Sequence, residues 1–273
     1  MDSKDNNKQI WHEILFECCK VYSKHQKGIQ FFFKENDKTR KNIVLFLLAR
    51  RILSNLRAIA ELADVSFKND GSLFLKLPVG LLLRCCFTDS ITGLYLTKQD
   101  DESFVQIMEK LNHDYAKALF EEMEVYRDKI SFANLEEEVV ELLYTSNIED
   151  TFLQYFDVND KRKEDGDLSE RSIWRVKRIK GNTQMSNMAK ALSKDPQFGR
   201  CALCLYSYYK YFSQWEHFSE NGIGDVLSNF GDDNIKLPMS FGHINNALCY
   251  MLNLNSNFAS VLCVCPSEPY DRG

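Results

Sequence analysis

Residues 43–65 read IVLFLLARRILSNLRAIAELADV. On a helical wheel this stretch has two characters. Leu48, Ile52, Ile59 and Ala63 fall on one face, while Arg50, Ser54, Arg57 and Glu61 recur at i, i+4, i+7 and i+11 on the other. Apolar content is high and sustained, so the stretch predicts one long helix, from an N-cap at Asp37 to about Val65.

The same period extends outward in both directions. Trp11, Leu15, Cys18, Cys19 and Tyr22 predict a first helix over 8–27, with Gly28 as its stop. Asn69-Asp70-Gly71 signals a turn, and a third helix follows Pro78 to about Thr97, weakened but not broken by Gly80 and Gly93. The span 100–150 reads as helical and acidic, and 157–170 as a charged loop. Arg171, Arg175, Lys177, Arg178 and Lys180 around Trp174 predict a basic helix. A short helix over 184–193 precedes an aromatic one over 197–219, which is apolar nearly all round and therefore central. After a glycine-bearing loop, a last helix runs from Pro238 to about Val264.

Composition agrees with this reading. The chain has 273 residues, 44% of them hydrophobic and 27% charged, so a sizeable core is available. It has only 12 Gly and 5 Pro, too few turn residues for a many-stranded sandwich or barrel. The fold expected is all-α: a multi-helix bundle of roughly eight to ten helices, as one domain over 1–265 with a loose tail at 266–273.

The net charge of -5 does not suggest a dedicated nucleic-acid binder. Arg171, Arg175 and Arg178 offer a local basic patch, which reads more simply as a solvated face balancing the acidic stretch 136–141. The opening residues lack the apolar core of a signal peptide. The longest apolar stretches, Leu73–Leu96 and Phe241–Cys265, are interrupted by Lys76, Pro78, Arg84 and Asp89 in the first and by five asparagines in the second. A cytoplasmic protein with no membrane partner is the expectation. The 9 cysteines, several inside helical patterns, read as reduced core thiols.

Three polar stripes carry the functional candidates. Besides Arg50, Ser54, Arg57 and Glu61, the third helix aligns Arg84, Thr88, Thr92 and Tyr95, and the aromatic helix aligns Tyr209, Ser213 and His217. Such stripes must pair with one another or face water, because an unpaired buried polar group is costly. One reading is a structural network. The other is a pocket in which Arg50, Arg57 and Arg84 recognise an anion, Glu61, Tyr209 and Ser213 assist binding, and His217 moves a proton.

Metal and cofactor motifs are weak. Glu-x-x-His is absent, and Phe16 stands where a His12-Glu13 metalloprotease motif needs its second histidine. No phosphate loop ends in Lys-Ser or Lys-Thr. Cys201, Cys204, Cys263 and Cys265 together offer four thiols, but the first pair sits inside a helix, where structural zinc sites seldom place ligands. No cofactor and no metal are expected.

The long helix bearing Leu48-Ala49-Arg50 and Glu61, with the late Tyr209-x-x-x-Ser213-x-x-x-His217 helix, resembles a loose group of bacterial all-helical proteins of uncharacterised function. The helical ribonucleases of toxin and phage-defence systems place an arginine four to six residues before a histidine. No arginine stands so before His12, His25, His113, His217 or His243. The expectation is therefore a non-enzymatic ligand-sensing or partner-binding helical protein of bacterial type, associated with defence or stress. Its partner would be a small anionic ligand or a protein. The alternative is a metal-independent nuclease or hydrolase using His217 with Arg50, Arg57 and Arg84.

Overall fold

A computed structural model describes residues 3–69, 75–133, 156–158, 174–176, 179, 181, 183–216 and 237–252. The chain divides into two compact units, Met1–Asp100 with Gln184–Gly273, and Asp101–Thr183, where the sequence reading expects one domain over 1–265. The regular structure among the described residues is helical apart from one short ribbon. Seven α-helices occur among them: α1 (Ser3–Glu35), α2 (Arg40–Lys68), α3 (Lys76–Thr97), α4 (Asp101–Ala133), α5 (Met185–Leu192), α6 (Gly199–Ser213) and α7 (Leu237–Leu252). The all-α class holds; the described residues carry seven of the eight to ten helices expected of the whole chain.

In the first unit, α1 and α2 form a helical hairpin. α1 runs through Gly28, the expected stop. Glycine costs a helix interior about 1 kcal/mol relative to alanine, and the buried ring of residues around it, Val21, Ile29 and Phe32, favours continuation. The turn after α1 is closed by Asn36, whose Nδ2 donates to the Phe32 carbonyl at 2.8 Å. Thr39, not Asp37, caps α2: its Oγ1 accepts from the Asn42 N–H at 3.2 Å, while the Asp37 carbonyl accepts from Asn42 Nδ2 at 2.8 Å. An N-cap oxygen that accepts from the N–H three residues on satisfies one of the free donors of the first helical turn.

α3 is the central helix, packed against α2, α5, α6 and α7. It is long and apolar enough to cross a membrane by length and composition, yet most of that window is buried among the other helices. Its two glycines are contact points. A Cβ at Gly80 would overlap the Trp215 indole, and one at Gly93 would overlap the Met251 sulfur. Residues without side chains thus let a large aromatic and a methionine from later segments approach the α3 backbone.

Two polar contacts pin helices within this unit. Asp89 on α3, 1% exposed, receives a two-pronged hydrogen bond from Arg51 on α2, with Nε to Oδ2 at 2.6 Å and Nη2 to Oδ1. Burial pushes the Asp89 carboxyl above its usual range, and the guanidinium opposes that shift. His25 on α1 is fully buried and meets Asn245 on α7, Nε2 to Oδ1 at 2.6 Å. With the Asn245 amide oxygen as acceptor, Nε2 is the donating nitrogen. Nδ1 is left buried with no partner among the described residues. Burial lowers the His25 pKa to about 4, more than the Asn245 bond restores.

α5 leads to α6 through an Asx turn. Asp195 Oδ1 accepts from the N–H groups of Gln197 and Phe198 at 2.8 and 3.0 Å, and Asp195 also pairs with Lys98 at 2.9 Å. A single 3-10 turn, Gln214–Glu216, follows α6.

The second unit holds α4 and an antiparallel ribbon of β1 (Phe156–Val158) and β2 (Trp174–Val176). The ribbon corrects the expected basic helix over 171–180. Trp174-Arg175-Val176 pairs in register with Phe156-Asp157-Val158, and aromatic and β-branched residues suit that geometry. Arg175 stands opposite Asp157, while Arg171 and Arg178 lie outside the described residues. On α4, Asp114 accepts from Lys110 and from Thr183 Oγ1 at 2.5 Å, which holds the segment leaving the ribbon.

Candidate functional site

The polar stripe of α2 opens onto a groove shared with α1. Tyr22, Gln26 and Gln30 on α1, at i, i+4 and i+8, face Arg57, Ser54 and Arg50 on α2. Ile29, Phe46 and Leu53 form its floor, and its volume is about 380 Å³, within the ordinary range for small-molecule clefts. A second cavity of about 330 Å³ adjoins it on the side of Asp64, sharing Tyr22, Gln26 and Arg57 and adding Cys19, Ser23 and Glu61.

The two arginines differ in their commitments. Arg57 Nε donates to Glu61 at 3.0 Å across one helical turn, and Glu61 and then the Tyr22 hydroxyl hold its pKa above the ordinary value. Both partners are about two-thirds exposed, so the pair orients Arg57 more than it stabilises the helix. Arg50 is exposed and has no ion-pair partner among the described residues. Its fork is open to a carboxylate or phosphate at one end of the groove.

Arg84 belongs elsewhere. Its Nε donates to Ser213 Oγ on α6 at 3.0 Å, and its guanidinium lies 5.3 Å from the Tyr209 ring centroid. Ser213 Oγ in turn donates to the Tyr209 carbonyl at 2.7 Å. That hydroxyl proton is committed to the backbone of its own helix, which is a structural use and not that of an activated nucleophile. Neither cavity lining includes Arg84, Tyr209 or Ser213. The seven expected site residues therefore divide: Arg50, Arg57 and Glu61 stand on the α1–α2 groove, Arg84, Tyr209 and Ser213 form an α3–α6 network, and His217 lies outside the described residues.

Sequence reasoning missed the α1 wall. Tyr22 reads there as part of the apolar face of a first helix, and Gln26 and Gln30 carry no signal by type. Their i, i+4, i+8 spacing was the available clue. It also missed Arg51, adjacent to Arg50 but aimed at Asp89.

The cysteines offer no ligand set among the described residues, where no group of three His, Cys, Asp or Glu side chains converges. Cys201 donates its thiol proton to the His243 carbonyl at 3.4 Å, and burial pushes its pKa up to about 12. A metal-binding thiolate needs the opposite shift. Cys263 and Cys265 lie outside the described residues. No protein-family model, no curated protein and no solved structure matches this chain.

Proposed function

We propose that this chain is a non-enzymatic ligand-sensing or partner-binding protein, of bacterial and cytoplasmic type, that takes an anionic ligand in the α1–α2 groove. The observation that carries the reading is Arg50: an exposed guanidinium lining a cleft of about 380 Å³, beside the neutral hydrogen-bonding groups of Gln26, Gln30 and Ser54, with no carboxylate of its own among the described residues. An anion there gains a two-pronged, charge-assisted contact, and the amides and the hydroxyl complete its hydrogen bonds.

The enzymatic alternative gathers Arg50, Arg57 and Arg84 around His217. Among the described residues Arg84 is engaged with Ser213 and Tyr209 on α6, so the binding reading has the better support.

The test is nuclear magnetic resonance of the arginine Nε–Hε groups during titration with inorganic phosphate and, separately, with acetate. A saturable shift of the Arg50 signal, assigned by its loss in the Arg50→Gln spectrum, is the expected result. A flat response to both anions overturns the reading.

A further inference from the structure

The two cavities adjoin, sharing Tyr22, Gln26 and Arg57 in their linings, and the charge of the lining changes sign from one to the other. The half containing Arg50 is lined by two cations, Arg50 and Arg57, and by no carboxylate. The half toward Asp64 is lined by Glu61 and Asp64, with Arg57 as its single cation. Arg57 sits at the junction, already paired with Glu61 through Oε1. Asp64 uses Oδ2 for Lys68. Among the described residues Glu61 Oε2 and Asp64 Oδ1 have no further cationic partner and Arg50 has no anionic one, so the first two can receive a cation and the Arg50 fork an anion.

A ligand that satisfies both ends carries opposite charges on an extended frame. From Arg50 to Glu61 the helix advances about 16 Å at 1.5 Å per residue. Five residues of extended chain span about 16–18 Å. Between the ends, Gln26, Gln30, Ser54 and Ser23 present donors and acceptors that match a peptide backbone, and the apolar floor accepts small side chains.

Resting on the groove as the binding site, we infer that its ligand is a short peptide with both termini free. The C-terminal carboxylate lies on Arg50, and the terminal ammonium lies at Glu61 and Asp64. A bare phosphate or a simple carboxylate fills only one half.

The experiment is calorimetric titration of the full chain with pentaalanine, with its N-acetylated form and with its C-amidated form. Blocking either terminus is expected to weaken binding at least tenfold. Arg50→Gln removes the preference for the free carboxylate over the amide. Asp64→Asn, at a half-buried position that leaves the Arg57–Glu61 pair intact, reduces the preference for the free amine, with Glu61 as the remaining carboxylate. N-acetylated peptide that binds as tightly as the free form overturns the peptide assignment while leaving the anion site standing, provided phosphate still shifts the Arg50 signal. Loss of both responses removes the groove reading itself.

Discussion

Arg51 on α2 grips Asp89 on α3 with both prongs of its guanidinium, and the two partners are unequally buried: the Arg51 side chain is 63% exposed and that of Asp89 is 1% exposed. Removing one side is therefore not equivalent to removing the other. Arg51→Ala strands a buried carboxylate, whereas Asp89→Ala leaves an arginine that can turn to water. Arg51→Ala is expected to cost about 2–4 kcal/mol and Asp89→Ala about 1–2 kcal/mol, measured by urea unfolding at pH 7. Without its partner, Asp89 titrates still higher in the folded state than in the unfolded one. A group with a raised folded pKa favours the fold below its unfolded pKa and loses that contribution as pH rises through the folded value. The Arg51→Ala deficit should accordingly shrink on acidification.

His25 gives the wild-type chain a pH dependence of known sign. Its folded pKa is about 4 against the ordinary 6.5. Between those values the unfolded chain binds a proton that the folded chain refuses, so stability falls as pH drops from about 6.5 toward 4 and levels off below. At 1.36 kcal/mol per pH unit the full loss is about 3 kcal/mol. Urea midpoints at pH 7.5, 6, 5 and 4 should show this fall, and His25→Met should flatten this contribution while lowering stability at neutral pH by orphaning Asn245.

Gly80 and Gly93 should respond differently to alanine. Helix propensity alone favours the change by about 1 kcal/mol at each position. At Gly80 the new methyl meets the Trp215 ring, itself packed against Tyr211 and Phe212, so a net loss of about 1–3 kcal/mol is expected. At Gly93 the nearest atom is the Sδ of Met251, an unbranched chain that can shift. Gly93→Ala should lie closer to neutral, and thermal melts of the two variants will rank them.

The Arg84 network predicts a coupling energy. Arg84 above the Tyr209 ring and bonded to Ser213 should show about 0.5–1 kcal/mol of interaction in an Arg84→Met, Tyr209→Leu double-mutant cycle on stability. Neither single variant should alter the phosphate-induced shift at Arg50, because neither residue lines the groove. A change in that shift would mean that the α3–α6 network communicates with the α1–α2 site.

Local pattern established much of this. The period of 43–65 placed Arg50, Ser54, Arg57 and Glu61 along one face, and they line two adjoining cavities, Arg50, Ser54 and Arg57 the first and Arg57 and Glu61 the second. The all-α class followed from long apolar-periodic stretches and scarce turn residues. Pattern failed where the partner decides. Trp174-Arg175-Val176 has a strand as its neighbour and becomes a strand, and no count of basic residues reveals that.

The chain's own order of residues determined which side chains share a helical face, because 3.6 residues per turn is a property of the backbone alone. Packing decided which face meets which helix. Successive residues on a helix point about 100° apart, so Arg50 looks into the groove beside α1 while its neighbour Arg51 reaches across to α3. The same three-dimensional choice gave Arg84 to α6, away from the α1–α2 groove, and brought Tyr22, Gln26 and Gln30 to face Arg57, Ser54 and Arg50, residues twenty or more positions away in the chain.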